Sequence, residues 1–311
     1  MKVSVVIRCL NEADHLPRLL ESIAHQTFKV AEVIIVDSGS SDNTVDIASS
    51  WGARIVHIEP REFTFGRSLN FGARVASGDI LVMVSAHTYP VSDTWLEALV
   101  QPFQDPAVAL VYGGQRGEDR SKFSERQLFK QWFPEESCDN QRHPFCNNAN
   151  AAVRRSVWAT LPYDDEIPAL EDIHWAKRAM ERGFKVSYVA EAAIVHVHQE
   201  PYAQIHRRYR REAMGMHVIF PWERMSLLQA LSLGLNAIRS DLKQARKEKR
   251  LGSAAGSILM FRAAQYCGTY RGLNQKGAFN SDLRARLYYP KDYGIRNDST
   301  ADQQTTSSEH A

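Results

Sequence analysis

Gly78-Asp79-Ile80-Leu81-Val82-Met83-Val84-Ser85-Ala86-His87 is the stretch that decides the fold. Its apolar run is too short for a helix and lacks the alternation of a half-wetted strand. It therefore reads as a strand buried on both faces, as in parallel sheets covered by helices. The same reading extends outward. Val3–Cys9 is a second apolar, β-branched run, and 32–36, 54–58 and 108–112 are further strands. Between them, 14–25 carries Leu16, Leu19, Leu20 and Ile23 at helical spacing; 42–50, 65–76 and 92–103 are also helical, the last capped by Ser92. Strand alternating with helix predicts an α/β fold with a mostly parallel central sheet flanked by helices.

The 311 residues, 44% of them apolar, suffice for one large domain with an appendage. The net charge of +2 conceals an asymmetry. Residues 1–200 hold 20 Lys/Arg against 27 Asp/Glu, a net of −7, whereas 201–290 hold 16 against 5, a net of +11. After 113 the alternation becomes irregular; 170–182 is helical, 186–189 and 193–198 are short strands, and 202–218, 225–250 and 253–271 are helices. The expected organisation is a catalytic domain over 1–200, a basic helical appendage over 201–295 and a disordered polar tail over 296–311. Four cysteines without paired spacing argue against a disulfide framework and for a reducing compartment. No signal peptide is visible, and no apolar run reaches the ~18–20 residues of a spanning helix.

Doubly wound sheets bind ligands beyond the carboxyl ends of their strands. Those ends read Arg8-Cys9-Leu10-Asn11-Glu12, Asp37-Ser38-Gly39-Ser40-Ser41-Asp42-Asn43-Thr44 and Ser85-Ala86-His87. Asp37 and Asp42 offer carboxylates to a base N–H and a ribose hydroxyl; the plainer alternative is a tight turn with Asp42 capping the next helix. A GxGxxG loop is absent, which argues against a dinucleotide enzyme.

With these residues in view, the chain resembles the family 2 glycosyltransferases of the GT-A fold over roughly residues 1–200. Val3-Ser4-Val5-Val6-Ile7-Arg8-Cys9-Leu10-Asn11-Glu12 resembles that family's SVVIPTYNE, and Ile34 to Thr44 resembles IIVVDDGSTDGT. Arg67-Ser68-Leu69-Asn70-Phe71-Gly72-Ala73 with Ser77-Gly78-Asp79 resembles ARNxGxxxAxGDY, and Leu170-Glu171-Asp172 resembles the acceptor-side EDxxL. The resemblance implies an inverting hexosyltransferase. Asn11, Glu12, Asp37, Asp42, Arg67, Asn70 and Ser85 would lie on the nucleotide side and Asp172 would be the base, with Glu171 beside it. Asn148 and Asn150 would line the acceptor cleft, where Trp132 and Phe145 could stack on a sugar.

The sequence departs from the family where Asp-x-Asp should clamp a metal-bound diphosphate, because Ser85-Ala86-His87 stands there. Imidazole suits Mn²⁺- to Zn²⁺-type ions and suits Mg²⁺ poorly. His196 and His198, on one face of an expected strand, could join His87. The expected cofactor is a divalent metal, Mn²⁺ ahead of Mg²⁺. The alternative is metal independence, with the basic stretch 206–211 neutralising the diphosphate.

In the appendage, Leu227, Leu231, Leu235, Ile238 and Leu242 form an apolar stripe beside Arg239, Lys243, Arg246, Lys247, Lys249 and Arg250. That pattern suggests contact with an anionic membrane surface, with a solvated face or a homo-oligomer contact as alternatives. No nucleic-acid-binding motif accompanies it. The expected function is transfer of a sugar from a nucleotide-diphosphate donor, dTDP-rhamnose or a UDP-sugar, to a glycan or lipid-linked glycan in surface or exopolysaccharide biosynthesis. The expected place is the cytoplasm, peripheral on the inner face of the cell membrane. The rival readings are a non-catalytic nucleotide- or glycan-binding scaffold, a nucleotidyltransferase, and a zinc hydrolase built on His196 and His198.

Overall fold

The computed structural model describes residues 1–118, 120–277, 279, 280, 283, 287 and 288; the expected tail over 296–311 lies outside them. Four strands, β1 (Val3–Cys9), β2 (Glu32–Asp37), β3 (Arg54–His57) and β4 (Ile80–Ser85), form the parallel half of the sheet. β1 lies between β2 and β4, with Val5 opposite Val33 on one side and Val82 on the other. The sheet continues through β5 (Thr88–Pro90), β6 (Val108–Gly117), β7 (Asn150–Arg154) and β8 (Lys185–His196) in the order β3-β2-β1-β4-β7-β6-β8-β5. β7 runs antiparallel to both β4 and β6, whereas β6 and β8 are parallel.

Alternate residues of the apolar strands feed two cores. Val6, Ile34, Val36, Leu81 and Met83 face one side, with α3 (Phe65–Val75) and α7 (Glu171–Glu181). Val5, Ile7, Ile35, Val82 and Val84 face the other, with α1 (Leu16–Ala24) and α4 (Trp95–Val100). This double burial is why the strands read as continuous apolar runs. Gly72 allows α3 to lie on the sheet, since a Cβ there would sit 2.4 Å from a methyl of Val6. Shorter helices α2 (Thr44–Ser50) and α6 (Arg155–Thr160) follow β2 and β7.

The two short strands expected at 186–189 and 193–198 are one long strand, β8, whose pairing with β6 shifts register between Gly113 and Gln115. Three long helices follow: α8 (Tyr202–Ile219), α9 (Leu227–Lys247) and α10 (Leu251–Leu273). They dock on the sheet domain through α5 (Phe123–Trp132), where Leu128 and Trp132 meet Ile205, Tyr209 and Phe261. Among the described residues, no helix is long and apolar enough to cross a membrane.

Candidate active site

The loops after β1 and β2 are tied to one another. Asn11 adopts φ 56°, a left-handed conformation that Asn tolerates. Its N–H donates to Ser40 Oγ at 2.9 Å, and its Oδ1 accepts from the Ser41 N–H at 2.8 Å. Asp37 is buried and accepts from the N–H groups of Gly39 and Ser40, with Gly39 at φ 98° closing the turn. Asp42 accepts from the Ala13 N–H at 3.1 Å and from the Thr44 N–H at 3.0 Å and hydroxyl. Partial desolvation pushes its carboxyl up, but the bonds from Thr44 and Ala13 win and hold it below the usual range.

Beyond these loops lies a cleft of about 490 Å³. Asn11, Ser38 and Gly39 line one wall, and Arg207, Arg208 and Arg211 of α8 line the other. The basic appendage thus supplies half of the cleft. Arg211 stacks on Phe65 and Tyr288. Arg208 is buried in an ion network, bonding Glu125 at 2.7 Å and Glu200 at 2.8 Å.

Three histidines converge beside this network. His87 follows the end of β4, His196 ends β8 and His198 lies just past it, and the rings of His196 and His198 are 3.9 Å apart. One ligating nitrogen from each of the three lies within 4.8 Å of the others. Each Nδ1 faces an acceptor: Glu12 at 2.8 Å from His87, Gln115 at 2.8 Å from His196, and Glu125 at 2.7 Å from His198. Since a carboxylate or amide oxygen only accepts, each Nδ1 carries a proton, and Nε2 is the nitrogen that each ring turns away from its acceptor. Nε2 of His87 is 3.2 Å from the Ser85 hydroxyl. Nε2 of His196 is buried without a hydrogen-bond partner among the described residues. Burial, reinforced by His198 and His87, pushes the His196 pKa well down and keeps that ring neutral. A neutral imidazole oriented by an acceptor on its far nitrogen is the form in which histidine binds metals.

The carboxylates of α7 stand nearby. Asp172 is buried; its two oxygens accept from the Asn148 N–H at 2.9 Å and its neighbour Ile173's N–H at 2.8 Å. Burial, then the adjacent Glu171, push its carboxyl up to about 7 against those two bonds and Arg8. Leu170, immediately before, is at φ 62°, a costly conformation for a branched side chain. Glu171 meets Arg8 Nη1 at 3.4 Å and the Asn148 side-chain amide at 3.3 Å. Asn148 leads to the histidines, since the carbonyl of its neighbour Ala149 accepts the Ser85 N–H at 3.2 Å.

Several residues expected at the site are occupied elsewhere. Asn150 is fully buried; its amide bonds Gly114, Ala192 and the Trp95 indole, so it braces β7 against its neighbours and has no face for an acceptor sugar. Asn70 is likewise buried, with both donors on Tyr163 and Asp165 and its oxygen accepting from Trp158 and Tyr163, so it is withdrawn from the nucleotide side. Arg67 spends its guanidinium on Asp165, Glu166 and the Glu62 carbonyl and does not line the cleft. Trp132 is half-buried against Phe145. The site also includes Gln115 and Glu125, which orient histidines and which reading the sequence did not single out; neither has a local sequence signal, because each is brought in by a distant strand or helix. Arg8, inside the quoted end of β1, carries no expected role from the sequence and bonds Glu171.

A parallel sheet whose strand ends carry this cleft, continued by an antiparallel β7, is the GT-A architecture of nucleotide-sugar glycosyltransferases. The mannosyltransferase PcManGT from Pyrobaculum calidifontis, solved with GDP-Man and Mn²⁺, superposes with a TM-score of 0.64 at 18% identity over 89% of this chain and 88% of that one. S. aureus TarS 1-349 with UDP gives 0.54 at 16% identity over 85% and 90%. Residues 4–161 match the model of glycosyl transferase family 2, and the chain belongs to that family. It is similar to the O-antigen chain rhamnosyltransferase RfbN of Salmonella typhimurium, 26% identical over 256 residues, 78% of this chain and 81% of that protein. The O-antigen chain rhamnosyltransferase WbaN of Salmonella anatum is 27% identical over 229 residues, covering 70% and 72%. The protein is a glycosyltransferase, and nothing in its relatives supports the hydrolase or scaffold readings.

Proposed function

We propose that the protein transfers rhamnose from dTDP-rhamnose, or failing that a sugar from a UDP donor, to a glycan or lipid-linked glycan in surface polysaccharide biosynthesis. The transfer inverts the anomeric centre and takes place at the cytoplasmic face of the membrane. The carrying observation is the short link between the two halves of the site: Asn148 holds Asp172 while its neighbour Ala149 holds Ser85. A base and a diphosphate site are then one peptide apart. The rhamnosyl donor is supported by the names of the Salmonella relatives.

In this reading Asp172 accepts the proton of the acceptor hydroxyl as that oxygen bonds to the anomeric carbon and the bond to the diphosphate breaks. A carboxyl near neutrality suits that task. The leaving diphosphate faces Arg207 and Arg211 of α8. His87, His196 and His198 would hold a divalent metal, and the buried, unpartnered Nε2 of His196 fits that use. Such an ion would offset diphosphate charge, and three imidazoles favour Mn²⁺ over Mg²⁺.

Calorimetry with dTDP, UDP, GDP and CMP tests the donor class. The expected result is dTDP as the tightest ligand, weakened by EDTA. Failure of every nucleotide to bind, with and without Mn²⁺, would overturn the reading.

A further inference from the structure

α9 presents an apolar stripe of which only half is covered. Ile238 and Leu242 pack with Phe123 of α5 and Ile258 of α10. The other half is bare: Leu228 is 79% exposed, Leu227 and Leu231 each 55%, and Leu235 51%. Trp222, 69% exposed, lies in the turn just before. This half is not a frayed end. Ser226 and Gln229 form a reciprocal capping box, and Ala230 and Gly234 are buried, with Gly234 facing Tyr266 of α10. Four leucines on a capped helix, with a tryptophan in the turn before it, call for a partner.

Charge indicates which partner. α9 carries Arg239, Lys243, Arg246 and Lys247, and its only carboxylate, Asp241, is buried and bonded to Arg262 at 2.8 Å. We propose that the bare half of α9, with Trp222, docks in the plane of an anionic lipid surface. A second copy of the chain fits less well, because a two-fold contact would set two lobes of net +11 against each other. α10 packs on both α9 and α8, and α8 lines the cleft, so docking would fix the cleft's position above the lipid. That a lipid-linked acceptor is reached from the docked state rests on the proposed function; the docking itself does not.

The test is co-sedimentation of the full chain with phosphatidylcholine vesicles and with vesicles containing phosphatidylglycerol. Wild type is expected to bind the anionic vesicles. Leu228→Glu with Leu231→Glu is expected to bind at least about tenfold more weakly, with an unchanged circular dichroism spectrum and dTDP affinity. Arg239→Gln with Lys243→Gln is expected to lose about fivefold per residue and much of the salt dependence. Absence of wild-type binding to anionic vesicles, or equal binding by the leucine variant, would overturn the proposal. So would a dimer that the leucine variant converts to monomer without any vesicle binding. Loss of dTDP binding in wild type with vesicle binding intact would instead sink the donor reading alone.

Discussion

Asp172 sits in a balance of opposed effects: burial and Glu171 push its carboxyl up to about 7, while two backbone N–H groups and Arg8 pull it down. Its conjugate base is the working form, so kcat/KM is expected to rise with pH up to about 7 and then level off. A pH–rate profile that is flat from 5 to 9 would remove Asp172 from the proton transfer. Asp172→Asn is expected to lower kcat by about 10²–10⁴-fold with dTDP affinity unchanged, read by transfer kinetics beside calorimetry. At this scale the sequence is legible where a residue acts through its own type. Asp172 opens a helix within a family motif, and His196 and His198 share a side through their spacing. It is misleading where burial decides. Asn150 and Asn70 have the right amides for a sugar or a phosphate, but tertiary packing turns them inward.

The elements that hold the site are joined by buried charge and by close helix packing. Burial pushes Glu125 of α5 up, yet His198 and Arg208 overcome that and bring it down to about 2. A carboxyl lowered on folding contributes stability above its unfolded value of about 4.3, and that contribution is lost as pH falls toward 2. Glu125→Gln should therefore cost on the order of 3 kcal/mol in urea unfolding at pH 7, because Arg208 loses a partner, and the gap to wild type should close as pH is lowered. Glu125→Ala removes the acceptor of His198 Nδ1 altogether and should weaken metal binding about 10–100-fold. On α10, a Cβ at Gly268 would lie 2.4 Å from the His206 carbonyl of α8. Gly268→Ala is expected to destabilise by about 1–3 kcal/mol and, by displacing α8, to weaken nucleotide binding. Unchanged unfolding and affinity would show that α8 is not set by this contact. Among elements, the long apolar strands and amphipathic helices announce themselves by period. β7 and β5 do not: β7 is a five-residue strand that opens on Asn150, a residue that the family resemblance assigns to the acceptor cleft, and β5 is three residues ending in Pro90.

At the scale of the molecule, the change from net −7 to net +11 is legible in the sequence, but the way the two regions meet is not. Only the fold shows that α8 of the basic region closes the cleft opened by the β1 and β2 loops. In the proposed account, His87, His196 and His198, each with Nδ1 anchored on an acceptor, and the arginines that line the cleft would together take the place of Asp-x-Asp. Removing metal with EDTA is expected to weaken nucleotide binding without unfolding the protein, since the sheet cores do not depend on the site. The most direct test is Mn²⁺ binding followed by electron paramagnetic resonance in wild type and in His196→Ala. The account predicts one Mn²⁺ per chain in wild type and none in the variant; a wild type that binds no Mn²⁺, or a variant that binds it equally well, would contradict it.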